Sequence, residues 1–475
     1  VVQPFNPKSR VLMSADKAVV ALAQHVVNAQ QRTFDQHTTE RASMILLDAL
    51  AVGIAGSNAT YADAIHRTAP LWGMGGPCRV LGRGDGFPAQ TAAFLNGYQI
   101  HGQEFDCVHE GAVVHPMAGI MAAALAEVER LSGGTDNTGI PGRRFIKAIS
   151  AAVDITIAVG LSSTRGLWFF RPATASAFGA VAMAAQLREF SLEQTLQAFG
   201  HVYSQMCGTM QAHTEGAAVL PMQIGFNARN AVIAADLVEA GISAPEDVIN
   251  GPYGYLQLFE PDGNIAPLID SLNDVHRICE LSYKPYPTGR ATHGGIDAIR
   301  TLQQEHGFTA SQVKSMTLSA PPLIPRLVNR PFSSDMAPNT ARLSMQYTGA
   351  VTLLRGTVGL FDFSSESLHD AEIDRLAQRI TVIDDGTEDP NALQPQVITI
   401  TLDSGEEYST TVERVYGSPA APMDEAANLA KVTHCCEFAG LSDASTTALI
   451  DNGMELDRRL DIGRWLADAW RADIR

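Results

Sequence analysis

HPMAGIMAAALAEVERLSGG, residues 115–134, is the stretch from which the fold is read. Met117, Ile120, Met121, Ala124, Leu125, Val128 and Leu131 recur every three or four residues, so they share one face of a helix. Pro116 suits the first helical position, and Gly133-Gly134 supplies the stop. Alanine and glycine fill the other faces, which lets neighbouring helices approach closely. Similar text lies on both sides. RASMILLDALAVGIAG (41–56) closes on Gly56 as a left-handed stop, and SADKAVVALAQHVVNAQ (14–30) opens on Ser14 as an N-cap. FIKAISAAVDITIAVGL, ATASAFGAVAMAAQL and NARNAVIAADLVEAG continue the pattern to about residue 241.

Near residue 275 the period changes. VKSMTLSA (313–320), RITVID (379–384) and QVITITLDSGEEYSTTVERV (396–415) alternate as strands do, the last turning at Asp403-Ser404-Gly405. Helical text lies between them at 289–306 and 341–355, and it returns after residue 422. The expected fold is mainly α: a large helical domain from residues 1–270 and 416–475, with a smaller α+β lid domain, 271–415, inserted before the tail. Two units on one chain in this arrangement form a cleft, where sites sit.

A formal charge of −17 argues against nucleic-acid and membrane-surface binding, because such a field repels polyanions. No uninterrupted apolar run is long enough to span a bilayer, and the first residues have no signal-peptide core. The six cysteines show no CxxC spacing, which fits reduced thiols. A soluble, cytoplasmic protein is expected.

Upstream of the deciding helix lies EFDCVHEGAVVHP, residues 104–116, crowded with Glu104, Asp106, Cys107, His109, Glu110 and His115. All are competent metal ligands, yet HExxH, CxxC and EF-hand spacings are missing, so no metal site is expected. Nor is there a GxSxG nucleophile elbow. His101 and Glu104 stand three apart, close enough to face one cleft. A basic residue precedes proline at His115-Pro116, Arg171-Pro172 and Lys284-Pro285, each where a new segment starts. A cation at a helix N-terminus opposes the macrodipole, unless an anion binds there as well. The same field favours a neutral imidazole at His115, as a general base requires. The plainer alternatives stay open: Arg171 pairs with a nearby protein carboxylate, and His115 serves as a cap.

These residues resemble the MmgE/PrpD family, which includes 2-methylcitrate dehydratase, cis-aconitate decarboxylase and iminodisuccinate epimerase. AAFLNGYQIHGQEFDCVHEGAVVHP is similar to the family's AAF-NG---H--DFDD stretch and the His-Pro helix start after it. KPYPTGRATHGGIDAI and ARLSMQYTGAVTLLRG resemble two further family segments, in the same order. The resemblance implies a helical domain with an α+β lid, a homodimer and catalysis without a cofactor. It assigns the active-site histidine to His115, the lid-side lysine to Lys284 and a pocket tyrosine to Tyr347. Glu104, Cys107, Val108, Arg171 and Leu220 depart from the pattern; the last two stand where a histidine and a lysine are expected.

The combined expectation is a lyase or isomerase that abstracts a proton next to a carboxylate of a small di- or tricarboxylic acid, in the manner of 2-methylcitrate dehydratase. His115, Glu104, Lys284 and Tyr347 would be catalytic, while Arg171, Arg290, His101 and His293 would bind the anionic substrate. Decarboxylation of the cis-aconitate type and epimerisation of the iminodisuccinate type are the alternatives within the family. A non-catalytic carboxylate-binding homologue is the alternative outside enzymes.

Overall fold

The structure, a computed structural model, describes residues 17–132, 139–463, 465 and 466. The Ser14 cap and the Gly133-Gly134 stop lie outside the described residues. The fold is mainly helical, with a smaller α+β part. One core is built around the helix Arg171–Leu187, which is buried at every position. Helices Pro116–Ser132, Gly142–Leu161 and Val219–Glu239 pack around it. A helix this apolar on all faces is stable only when enclosed.

Small residues set the spacing. Helix Ala89–His101 crosses Val219–Glu239 where Gly97 meets Gly225: a Cβ on Gly225 would lie 2.5 Å from the Phe94 carbonyl oxygen. This crossing aims the helix that ends in His101. Gly225→Ala is therefore expected to destabilise the protein by about 1–3 kcal/mol through overpacking. A thermal melt identical to wild type would show that the helices part at no cost.

Two helix ends differ from the sequence reading. Helix Gln36–Ala55 begins ahead of Arg41, because Asp35 accepts a hydrogen bond from the Thr38 amide at 2.7 Å. Gly56 is right-handed (φ −65°) and runs on into a 3₁₀ turn. What it supplies is room, since a Cβ there would meet the Gln99 carbonyl oxygen at 1.9 Å.

A second core holds the sheet. Strand Val313–Ala320 lies parallel to Ile380–Asp384 and antiparallel to Gln396–Leu402, which pairs on its other edge with Glu407–Val412. The hairpin turns at Asp403-Ser404-Gly405, with Gly405 at φ 91°. Gln396, Ile398, Ile400 and Leu402 face inward, and helices His293–His306 and Met345–Arg355 pack on the sheet. The chain passes from one core to the other between Tyr283 and Tyr286. Helices Glu425–Ala439 and Asp443–Met454 then return to the first core against Gln36–Ala55. Among the described residues no single helix is long and apolar enough to cross a membrane.

Candidate active site

Helix Ala89–His101 ends in a turn that folds Glu104 back toward it, the Glu104 amide donating to the His101 carbonyl at 3.0 Å. Glu104 sits outside the helix with φ 51°, and Val113, further along the loop, has the same φ. Left-handed backbone is uncommon for any residue but glycine, and is an outlier for a β-branched one. Such strain persists only where neighbours over-determine it.

Here two buried lysines do so. Lys284 donates to both the carbonyl and the carboxylate of Glu104, each at 3.1 Å. Lys431, from helix Glu425–Ala439, donates to the next carbonyl, that of Phe105, at 2.8 Å and pairs with Asp48 at 2.6 Å. Further on, Val108 and Ser282 exchange backbone hydrogen bonds of 3.0 and 2.8 Å. The Glu110 carboxylate accepts from Arg290 Nε and Nη2, at 2.8 and 2.6 Å.

The fold so imposed places Asp106 between two histidines. Its carboxylate lies 3.1 Å from His115 Nδ1 and 3.2 Å from His101 Nδ1. Burial opposes the charged carboxylate, but the imidazoles of His115 and His101 outweigh it and hold Asp106 well below the usual range. An anion there makes each Nδ1 a donor, so the lone pair of each neutral ring moves to Nε2. The rings meet edge to face, 4.8 Å between centres.

Their environments diverge. For His101 burial disfavours the cation, yet the Asp106 and Glu104 carboxylates prevail and raise its pKa. For His115 burial dominates, helped by the charge on Lys284, and its pKa falls. Glu104, despite burial, is held down at about 2 by Lys284 and the two histidines. His101, Asp106 and His115 are also close enough to be read as metal ligands, their candidate atoms lying within 4.8 Å of one another. The 3.1–3.2 Å separations between nitrogen and oxygen are those of hydrogen bonds.

A narrow cleft of about 80 Å³ between the two cores opens onto this cluster. His101, Glu104, His115 and Arg290 line it, together with Val108, Phe170, Met210, His213, Leu220, Leu327 and Leu343. Lys284 is fully buried behind Glu104.

Three expected site residues are placed elsewhere. Arg171 is withdrawn beneath the first turn of its helix: Nε pairs with Glu260 at 2.8 Å, and Nη2 donates to Ser163 Oγ and the Arg165 carbonyl. The anion that its position called for is thus a protein carboxylate, and a substrate carboxylate cannot reach it. Tyr347 belongs to the second core, packed on Phe332 and Phe363 with its hydroxyl donating to the Asp362 carbonyl. Its aromatic ring is needed there to fill space, not to face the cleft. His293 is buried beneath Arg290, its Nδ1 3.2 Å from Nη1, and burial holds its pKa well below the usual value. Arg290 lines the cleft, but Glu110 and the carbonyls of Val415 and Tyr416 occupy its guanidinium.

Asp106, weighed from sequence only as a metal ligand, and His213 and Lys431 are not among the expected site residues. The signal for Asp106 was present, since it is the second acid of the DFDD-like stretch.

The sequence matches the MmgE/PrpD N-terminal domain over residues 20–267 and the MmgE/PrpD C-terminal domain over residues 286–456. The chain belongs to the MmgE/PrpD family. Among its relatives is the cis-aconitate decarboxylase-like protein oryM of Aspergillus oryzae, 26% identical over 80% of this chain and 82% of that protein. The cis-aconitate decarboxylase of Aspergillus terreus is 25% identical, over 80% of this chain and 81% of its own length. That of Mus musculus is 23% identical, over 81% and 80%. Three of the departures from the MmgE/PrpD pattern noted in the sequence, Glu104, Val108 and Leu220, are wall residues of the cleft. A fourth, Cys107, is buried, and burial pushes its thiol pKa far up, so it is inert rather than nucleophilic.

Proposed function

We propose that the protein is a lyase that decarboxylates a small unsaturated carboxylic acid, with His115 and His101 handling the proton. The observation that carries this reading is the Asp106 bridge, which fixes two imidazoles side by side while their surroundings push their pKa values apart. Such divergence within one pair is how acid and base roles are separated. The names of the relatives favour decarboxylation over the dehydration expected from sequence.

In the step envisaged, the bond between carbon and the departing carboxylate breaks and its electron pair forms a new double bond. The electrons of the old double bond move to its far carbon, which takes a proton from the His101 imidazolium, and CO₂ leaves. Neutral His115 keeps its Nδ1–H on Asp106 and offers its Nε2 lone pair to a water in the cleft, and His101 regains its Nε2 proton from solvent once the product leaves. Glu104, locked by Lys284, holds the His101 charge in place.

The pH dependence follows. Activity requires His115 neutral, with its pKa below 6.5, and His101 protonated, with its pKa above 6.5. The profile of kcat/KM should be a bell spanning pH 6.5, falling on the acid side as His115 gains a proton and on the alkaline side as His101 loses one. Because the sites are coupled, the two limbs belong to the pair. Incubation with a panel of unsaturated di- and tricarboxylates tests the reaction itself. Trapped CO₂ supports decarboxylation; loss of water without CO₂, or no turnover of any acid, overturns it.

A further inference from the structure

We propose that the cleft, taken as the active site on the reading above, is built for an unsaturated acid that carries a hydrocarbon group where a tricarboxylate has its third carboxylate. The cations around the cleft are already committed. Lys284 is on Glu104, Arg290 is on Glu110, and Arg171 has turned away to Glu260. Arg330 comes near only by way of His213, whose ring and carbonyl it hydrogen-bonds. Burial and this arginine lower the His213 pKa to about 4, so that ring is neutral near pH 7.

What remains for a substrate is the Nε2 edge of the protonated His101, which has no hydrogen-bond partner of its own although Glu104 lies 3.5 Å away; neutral His115 presents a lone pair at Nε2 and cannot hold a carboxylate. The rest of the wall is apolar: Val108, Phe170, Met210, Leu220, Leu327 and Leu343. A third carboxylate against that wall would lose its water and gain no partner, and it would add to the charges of Glu104 and Glu110. An alkyl group in the same place gains from the transfer out of water.

The test uses a matched pair of probes, cis-aconitate and 3-propylglutaconate, in which propyl replaces the central carboxylate. Calorimetry on the wild-type protein should find the propyl compound bound at least about tenfold tighter, the direction set by burial of its methylenes. Leu220→Lys should cut that ratio at least about tenfold by offering the wall a cation. Equal or tighter binding of cis-aconitate by wild type, or binding of neither probe, overturns the proposal. So does an unchanged ratio in a folded Leu220→Lys. Should that variant fail to fold, Leu220→Ala replaces it: weakened propyl binding with unchanged cis-aconitate binding supports the proposal, and unchanged propyl binding overturns it. Preferential binding without CO₂ release would leave this specificity standing and remove the lyase reading instead.

Discussion

His115→Ala is expected to lower kcat by at least about a hundredfold, within the range that positioned acid–base groups contribute. The side chain borders the cleft rather than the core, with 12% of its surface exposed, so its removal leaves a hole that water can enter. Asp106 keeps its bond to His101 and is not orphaned. The melting temperature should therefore move little while turnover collapses, and steady-state kinetics beside a thermal melt separates the two effects. A rate within about tenfold of wild type would remove His115 from the chemistry.

Asp106→Asn should cost a comparable amount without touching the cleft wall. The carboxylate accepts from both Nδ1 atoms, whereas an amide of the same shape offers one acceptor and one donor. One imidazole must then change tautomer and present N–H instead of a lone pair at Nε2. The expected loss is about a hundredfold to ten-thousandfold in kcat. A second signature distinguishes this from simple damage. With the anion gone, His101 loses the largest influence raising its pKa, so the alkaline limb of the pH profile should move to lower pH. A variant with wild-type rate and an unmoved alkaline limb would show that the bridge is incidental.

Local pattern made the secondary structure readable. VKSMTLSA from Met316 onward, RITVID and QVITITL alternate because one face of each is buried, with a bulge between Val313 and Ser315 the exception, and the turn at Asp403-Ser404-Gly405 marks the hairpin. His115-Pro116 marked a helix start for the same local reason. The site was harder to read because its partners are remote in sequence. No spacing rule joins residues 101, 106 and 115; a left-handed turn at Glu104 brings them together, and the cause of that turn, Lys284, stands 180 residues away. Arg171 shows the converse: its local mismatch with the helix dipole pointed rightly to an anion, but Glu260, 89 residues on, could not be read from it. Tyr347 was chosen by resemblance alone, and burial in the second core claimed its ring.

The two lysines that grip neighbouring carbonyls have a consequence for biosynthesis. Glu104 and Phe105 leave the ribosome early, yet their clamps, Lys284 and Lys431, are translated far later, the second from a helix near the carboxyl end. Until both are made, the loop from Glu104 lacks the contacts that hold its left-handed turn. A chain cut short before Lys431 would leave buried Asp48 and the Phe105 carbonyl without their partner and the helix Gln36–Ala55 uncovered, so the loop is completed only when the last helices dock.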